Sequence, residues 1–220
     1  NSPTHTKGES YALGWNAAAN YAFDDKNEIG VVYRSRIKHS MEADFKAYNV
    51  MGSKIDTFGE AYGEVTLPES WHIGYSHKFN DKTRVELNAV RTGWDTYDAL
   101  NITTPLGLSK NPKNWEDGWR YAIGVEHKLS DKYTLMAGFA YDESSIPYNG
   151  GDFMVPTGNR KTYSIGARYN DKDQTVALAL GWMDVGDLNF AFRENEKITG
   201  HAHTHDSFTK IIGISYQRNF

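Results

Sequence analysis

The sequence predicts an all-β fold, an antiparallel up-and-down β-barrel that spans a membrane. Apolar side chains recur at every second position, which is the period of a strand with two different faces. Aromatic residues make up 14% of the 220 residues and cysteine is absent, which suits β-structure without disulfide bonds. Short polar connections alternate strictly with long ones, as in outer-membrane barrels, whose two ends differ.

Nine segments show this alternation and are predicted to be strands. In the first, Tyr11, Leu13 and Trp15 face one way, while small or polar residues such as Ala12 and Asn16 face the other. The second segment repeats the pattern with basic residues on its polar face. The nine predicted strands are approximately 9–23, 28–46, 60–79, 84–98, 118–129, 133–142, 160–169, 174–189 and 206–220.

The middle strands separate the two faces most clearly. Tyr121 and Ile123, for example, alternate with Arg120 and Gly124. Aromatic residues often lie near the ends of the apolar face, with aliphatic residues between them. Such girdles bracket the lipid-facing band of a membrane barrel, so the polar face is expected to line the lumen.

The last predicted strand ends on Phe220 and places Ile212, Ile214 and Tyr216 on the same face. A terminal strand that closes on an aromatic residue resembles the assembly signal of bacterial outer-membrane barrels. The alternative interpretation is an edge strand of a soluble sheet.

The connections fall into two groups. The short ones, at 24–27, 80–83, 130–133 and 170–174, share Asp, Asn and Lys. Asp and Asn cap tight turns and tolerate left-handed backbone. The long ones, at 47–59, 99–117, 143–159 and 190–205, are expected to be extracellular loops.

Composition excludes several function classes. The net charge of −4 and the pI of about 6.1 argue against nucleic-acid binding. No apolar run is long enough for a transmembrane helix, although strands need only about 9–11 residues to cross a membrane. The sequence shows no phosphate-binding loop, no cysteine metal site and no ordered catalytic signature, so neither an enzyme nor a cofactor is expected.

The number of strands predicts a partial barrel. If Phe220 lies in the periplasm, counting back through nine strands places Asn1 on the extracellular side. Bacterial barrels have an even number of strands and start in the periplasm. Residues 1–220 are therefore expected to be the C-terminal portion of a single outer-membrane β-barrel domain, with an odd number of strands preceding them.

Four motifs resemble the FadL/TodX (OmpP1) family of outer-membrane transporters for long-chain fatty acids and hydrophobic compounds. GWNAAANYAFDDKNEIGVVYRSRIKH (14–39) resembles the middle of that family, LPESWHIGY (67–75) its LP-x-x-W/Y strand, and RTGWDTYDAL (91–100) its T-x-W segment. AYDESSIP (140–147) is similar to its D-x-S-P loop, although here Asp142-Glu143-Ser144-Ser145 precedes the Ile-Pro pair. The motifs occur in family order.

The resemblance implies a fourteen-stranded barrel, of which nine strands are seen here and the N-terminal hatch is missing. It implies passive uptake of fatty acids or similar hydrophobic molecules across the bacterial outer membrane. The expected partners are that ligand, outer-membrane lipid and lipopolysaccharide, and the complete barrel is expected to be a monomer. The alternative is a soluble or membrane β-barrel that binds lipid or has a structural role without transport.

A fatty-acid carboxylate requires a cationic donor, and arginine binds carboxylates with two parallel hydrogen bonds. Arg120 is the preferred candidate, with Lys113 in the loop before it, because this region resembles the family segment that contributes a basic residue to the pocket. Lys110 is an alternative in the same loop. The alternation also gives Arg34, Arg36, Lys38, Lys78, Lys128 and Arg168 as lumen-facing cations. The competing interpretation is a salt-bridge network with Glu126 or Asp117.

Apolar loop residues are candidates for a capture groove, because exposed apolar clusters mark interaction surfaces. They are Leu100, Ile102, Leu106, Leu108, Trp115, Phe153, Met154 and Val155, and the alternative is packing of loop against loop. His201, His203 and His205 occupy alternate positions and are weak candidates for a metal site. A polar extracellular loop is the favoured interpretation of this histidine segment.

Overall fold

The computed structural model describes residues 3–52, 56–151, 158–194 and 197–219. This part of the chain forms sixteen antiparallel strands and two short 3-10 turns, Val50–Gly52 and Trp94–Thr96. The strands are β1 Thr4–Glu9, β2 Asn16–Ala22, β3 Asn27–Arg34, β4 Ile37–Ala47, β5 Thr57–Leu67, β6 Ser70–Lys78, β7 Thr83–Thr92, β8 Ala99–Thr104, β9 Gly107–Pro112, β10 Gly118–Lys128, β11 Tyr133–Asp142, β12 Arg160–Asn170, β13 Gln174–Val185, β14 Leu188–Glu194, β15 Lys197–Thr204 and β16 Ser207–Arg218.

The main sheet has nine strands in the order β2-β3-β6-β7-β10-β11-β12-β13-β16. Each of the nine predicted segments supplies one of them, and each strand pairs with its neighbours in chain order. The predicted antiparallel meander is therefore confirmed. β2 and β16 lie at the two edges of this sheet.

The first three predicted strands are each interrupted, which the period of two did not reveal. The interruptions fall at 10–15, 35–36 and 68–69. Pro68 has no N–H to donate to a ladder, and the Ser35 hydroxyl accepts a hydrogen bond from the Trp15 backbone N–H at 2.9 Å. Beyond these breaks, β1, β4 and β5 continue as a second sheet.

The second sheet has the order β1-β4-β5-β8-β9. Its last two strands form a hairpin within the long connection predicted as a loop at 99–117. A further hairpin, β14–β15, occupies the connection predicted at 190–205. Both hairpins form by pairing within the connection, which alternation between the main strands does not predict.

The four short connections lie together at one end of the main sheet, called here the turn end. Asp24 Oδ1 accepts hydrogen bonds from the backbone N–H groups of Lys26 and Asn27, both at 2.7 Å. Asn80 Oδ1 accepts from Lys82 and Thr83 in the same way, both at 2.9 Å. No non-glycine residue in these described turns has a positive φ, so side-chain capping stabilises them. The opposite end is the loop end.

The apolar face of the main sheet is its more exposed face. Ile123, Ile165 and Ile212 are all exposed, whereas Gly124 and Glu126 on the other face are half-buried. The outer face is therefore apolar and the inner face small and polar, which is the arrangement of a membrane barrel. No helix of the described residues is long and apolar enough to cross a membrane.

Buried side chains cluster at the loop end. Phe45, Ala47 and Ala61 form one cluster between β4 and β5. Ile146, Leu188 and Phe190 form another, against which Trp115 and Ala202 pack. The second cluster fixes the loops that border the inner face.

Candidate functional site

The inner face carries a recess at the loop end, between β6 and β12. It consists of two adjoining cavities of about 160 Å³ and 490 Å³. Both cavities are lined by Val90, Thr92, Trp94, Arg120, Asp142 and Arg160. Strand alternation and the adjoining loop therefore bring two arginines, one carboxylate and a tryptophan to the same place.

Arg120, Asp142 and Arg160 lie side by side on neighbouring strands. Asp142 is the register partner of Arg120 on one side and of Arg160 on the other. Its carboxylate forms an ion pair with Arg160 at 3.1 Å. Among the described residues Arg120 has no ion-pair or hydrogen-bond partner, so its guanidinium is available to a ligand in the recess.

Two further arginines of the inner face are paired with carboxylates. Arg84 contacts Glu86 at 2.8 Å, and Arg168 contacts Glu126 at 3.0 Å. The Arg168 pair matches the salt-bridge interpretation, because Glu126 is one of the partners suggested from the sequence. Arg34 is exposed on the same face and has no ion pair in the described ranges. Its Cα atom lies three strands and two residues from that of Arg120, about 16 Å away at the spacings of sheets.

Aromatic side chains stand at the mouth of the recess. The ring centroids of Trp94 and Trp115 are 5.0 Å apart, and those of Tyr97 and Trp115 are 5.1 Å apart. Trp115 donates its indole N–H to the carbonyl of Gly150 at 3.1 Å. The three rings therefore form a fixed apolar rim next to a free arginine.

Close backbone contacts hold this rim. A Cβ at Gly150 would lie 1.7 Å from the Lys113 carbonyl oxygen, and one at Gly118 would lie 2.4 Å from the Ser145 hydroxyl. The Glu116 N–H donates to the Ser145 carbonyl at 2.9 Å. The glycines thus allow the loop after β11 to pack directly on the segment before β10.

Arg36 belongs to a different cluster, at the breaks between the two sheets. It pairs with Glu69 at 3.1 Å and with Asp95 at 3.5 Å. Glu69 also contacts Arg91 at 3.5 Å, and Arg91 in turn pairs with Asp117. Asp117, which the sequence suggested as a partner in a salt-bridge network, therefore binds Arg91. The Arg36 charge is neutralised within this cluster.

Lys38 lies in the second sheet, where it pairs with Glu64 at 3.0 Å. The hydrogen bond from Lys38 lowers the pKa of the Glu64 carboxyl, with a smaller contribution from Ser40. Because β4 and β5 belong to the second sheet, Lys38 and Glu64 lie beyond the main sheet and away from the recess around Arg120.

The remaining candidates are dispersed. Lys113 is 2% exposed and does not line either cavity of the recess. Trp115 lines the smaller cavity. Leu106 is 50% exposed in the β8–β9 turn, where Ile102 and Leu108 are also exposed. Phe153, with Met154 and Val155, lies outside the described residues.

The three histidines have separate partners. His201 Nδ1 lies 2.8 Å from the Tyr148 hydroxyl, and His203 Nδ1 lies 2.7 Å from Asn189 Oδ1. His205 Nδ1 lies 3.0 Å from Asp206 Oδ2. Within the described ranges no three His, Cys, Asp or Glu side chains converge on a possible metal position.

Sequence reasoning missed three residues of the recess, Trp94, Asp142 and Arg160. Trp94 and Asp142 lie within the quoted RTGWDTYDAL and AYDESSIP motifs, which were the available signals. Nothing in the linear sequence indicated that Asp142 would lie between two arginines, because that depends on the register of β10, β11 and β12.

The chain is similar in sequence to known outer-membrane proteins. A family model described as outer membrane protein transport protein (OMPP1/FadL/TodX) matches residues 2–220. The long-chain fatty acid transport protein of Escherichia coli K12 is 26% identical over 192 residues, covering 81% of this chain and 43% of the relative. Outer membrane protein P1 of Haemophilus influenzae Rd is 28% identical over 191 residues, covering 86% and 39% respectively.

Solved structures share the fold. A Pseudomonas aeruginosa FadL homologue has a TM-score of 0.80 at 19% identity, covering 94% of this chain and 52% of that one. The toluene transporter TodX of P. putida has a TM-score of 0.61 at 20% identity, covering 99% and 53%. The chain spans about half the length of the curated relatives it matches.

Proposed function

Because this chain belongs to the OMPP1/FadL/TodX family of outer-membrane transport proteins, we propose that it forms part of a channel for passive uptake of hydrophobic molecules. The family places the protein in the bacterial outer membrane. The members of this family are transport proteins, which confirms the expectation that the protein is not an enzyme. The outer face, apolar and exposed across the main sheet, supplies the surface that lipid contacts.

The proposed channel is a single barrel of which residues 1–220 form the C-terminal portion. A nine-stranded meander and a match to about half of the relatives' length support this assignment. The proposal includes contact of the outer face with lipid and lipopolysaccharide, and a monomeric barrel of fourteen strands. Analytical ultracentrifugation in a density-matched detergent measures the oligomeric state.

The proposed ligand is a long-chain fatty acid, bound in the recess through its carboxylate. The observation that carries this proposal is Arg120, which lies on the inner face without an ion-pair partner in the described part of the chain, beside the aromatic rim of Trp94 and Trp115. Arginine favours a carboxylate over an uncharged ligand because each N–H donates a charge-assisted hydrogen bond. The curated relative of E. coli is named for long-chain fatty acid transport.

A monoaromatic hydrocarbon is the second candidate ligand. The edge-to-face arrangement of Trp94, Tyr97 and Trp115 offers aromatic surface at the mouth of the recess. Aromatic rings gain about 0.5–1.5 kcal/mol from such packing beyond their buried area. The toluene transporter TodX is a structural neighbour.

Capture by the loops is proposed for the β8–β9 hairpin, where Ile102, Leu106 and Leu108 are exposed. Exposed apolar residues in one hairpin provide a first contact for a hydrophobic ligand. If they capture ligand, replacing Leu106 and Leu108 by serine lowers the association rate and leaves the dissociation rate unchanged. Stopped-flow binding measures both rates, and an unchanged association rate contradicts the assignment.

Replacing Arg120 by alanine tests the ligand site. Loss of a charge-assisted hydrogen bond costs about 1.5–3 kcal/mol, so fatty-acid affinity is expected to fall roughly tenfold to hundredfold. Toluene affinity is expected to stay unchanged. The matched control is Lys128→Ala, which removes an inner-face cation at the turn end. Equal fatty-acid affinity in the Arg120 variant and the wild type would remove the recess as the carboxylate site.

A further inference from the structure

Two lysines interrupt the apolar outer face near the loop end. Lys161 of β12 is the register partner of Tyr141 and Asp184, and Lys210 of β16 is the register partner of Trp182. Both lysines are exposed, and neither has an ion pair within the described ranges. Their Cα atoms are two strands and two residues apart, or about 12 Å.

Lys210 is directed toward the loop end. Its Nζ lies 5.7 Å from the ring centroids of both Trp182 and Phe208, which stack at 4.6 Å with an angle of 8°. Phe208 is one outward-facing position nearer the loop end than Lys210. The lysine stem therefore runs over apolar surface while its ammonium rises to the aromatic girdle, as snorkelling side chains do at membrane interfaces.

Neither lysine is neutralised by an ion pair within the described ranges. Asp184 is exposed on the same face, opposite Lys161, without forming an ion pair with it. Arg91, at the loop end of β7, is already paired with Asp117 and Glu69. Both ammonium groups are therefore available to an anion near the loop end of the outer face.

An apolar groove lies on the same face, farther toward the turn end. Its volume is about 500 Å³, and it runs over the small side chains of β11 and β12. The residues that line it on this face include Leu135, Ala137, Ile165, Ala167, Leu178 and Leu180. The outer face thus offers two cations among aromatic rings near the loop end and an apolar trough nearer the turn end.

We propose that Lys161, Lys210 and this groove form a docking site for a phosphorylated glycolipid of the outer leaflet, lipopolysaccharide. The ammonium groups bind its phosphates, and the groove accommodates an acyl chain. The site rests on the function and orientation proposed above, with the loops on the extracellular side. It is separate from the recess, because outward and inward positions alternate along each strand.

Two unpaired lysines are costly on a lipid-facing surface unless an anion reaches them. A lysine at the bilayer midplane of a barrel destabilises it by about 2–4 kcal/mol, and one near the interface by about 0–1 kcal/mol. Near an anionic membrane surface the same residue contributes favourably. Phosphate groups at the girdle bind the ammonium groups of Lys161 and Lys210, which offsets the destabilisation that the two unpaired lysines cause.

Native mass spectrometry of the detergent-purified protein with added lipid A tests the site. The charge-removing variant is Lys161→Gln/Lys210→Gln, and the matched control is Lys82→Gln/Lys172→Gln, which removes two exposed turn-end lysines. Each lysine near an anionic surface strengthens binding about fivefold. The charge-removing variant is therefore expected to bind lipid A about 25-fold more weakly than both the wild type and the control.

Two further variants test whether removing a nearby negative charge strengthens binding and whether another cation can replace lysine. Asp184→Asn is expected to bind lipid A more tightly by a few-fold, and Lys161→Arg/Lys210→Arg is expected to keep wild-type affinity. Equal lipid A affinity in the charge-removing variant and the wild type would overturn the proposal. Equal affinity of the wild type for phosphatidylglycerol and lipid A would also overturn it, because the site would then not select a glycolipid.

The recess supplies an independent readout. The charge-removing variant is expected to bind fatty acid as the wild type does and to keep heat-modifiable mobility on gels, which shows that the barrel folds. Failure of fatty-acid binding in the wild type would contradict the proposed ligand without affecting the lipid A result.

Discussion

At the scale of single residues, the register of neighbouring strands decides which inner-face arginine carries an available charge. Arg84, Arg160 and Arg168 each lie beside a carboxylate and pair with it. Arg120 lies beside Asp142 as well, but that carboxylate binds Arg160 on its other side. The alternation of the sequence predicted Arg120 and Arg168 as inner-face cations. It could not predict which was free, because ion pairing depends on contacts across strands.

The first prediction at this scale concerns Asp142. Replacing Asp142 by asparagine removes a negative charge beside Arg120 and releases Arg160, so fatty-acid affinity is expected to rise. Two charges a few ångströms apart near a protein surface interact by about 1–4 kcal/mol, which corresponds to an increase of at least about fivefold. Isothermal titration with a long-chain fatty acid measures the change, and Glu86→Gln, at the turn end, is the control. A weaker or unchanged affinity contradicts the arrangement.

Gly150 carries the second prediction. A methyl group at Gly150 meets the Lys113 carbonyl at 1.7 Å, so Gly150→Ala must displace the loop that accepts the Trp115 indole hydrogen bond. The expected cost is about 1–3 kcal/mol of stability, with a shifted indole N–H resonance for Trp115. Gly213→Ala is the control, since nothing lies within 4 Å of a Cβ there. An unmoved Trp115 resonance would show that the rim does not depend on this contact.

At the scale of elements, local side-chain chemistry explains the short turns but not the second sheet. Asp24 and Asn80 stand at the same point of equivalent turns and accept the same pair of backbone hydrogen bonds. The sequence therefore predicted all four turns. The β8–β9 and β14–β15 hairpins and the breaks near Pro68 and Ser35 were not predicted. Pairing of β8 with β5 depends on residues about forty positions apart, which no local pattern records.

The two turns predict a difference in acid. Hydrogen bonds from the Asn27 side chain and then from the Lys26 backbone N–H lower the pKa of the Asp24 carboxyl below its ordinary 3.8. Its stabilising contribution is therefore complete above about pH 4 and is lost as the pH falls through the lowered pKa. The Asn80 turn has no titrating cap and is expected to keep its stability. Amide hydrogen exchange at Lys26 and Lys82 between pH 5 and pH 2.5 compares them.

The Asp24→Asn variant makes the comparison strict. With asparagine in both turns, exchange at Lys26 and Lys82 should respond to acid alike. If the wild-type turns already respond alike, capping by the Asp24 carboxylate does not stabilise the first turn.

At the scale of the whole molecule, the two faces of the main sheet require two different solvents. Outward positions such as Ile123, Ile165 and Ile212 are exposed, whereas the inner face carries charged pairs. This division into two faces was predictable, because side chains alternate between the faces of a strand whatever its register with the neighbouring strands. The nine-stranded order was predictable too, because alternating short and long connections fix a meander. The recess was not, since its lining combines strand residues with Trp94 and Trp115 from the adjoining loops.

Lysine substitutions at two neighbouring positions, one on each face, test which face of the main sheet contacts lipid. Ile212 faces outward between the two aromatic girdles, and Gly213 faces inward. Ile212→Lys is expected to destabilise the protein by about 2–4 kcal/mol in a bilayer, while Gly213→Lys costs little. Urea titration in lipid vesicles, followed by heat-modifiable gel mobility, gives both values. Equal costs at the two positions would contradict the assignment of the outer face.

The second sheet also extends the molecule beyond the loop end of the main sheet. β4 and β5 each continue for eleven residues beyond the breaks, and at the rise of a strand they reach about 35 Å past the girdle. If the loop end is extracellular, as proposed, these two strands carry their connection well away from the membrane surface. Sequence changes are therefore expected to be tolerated along this hairpin, whereas contact with lipid constrains the outward positions of the nine strands of the main sheet.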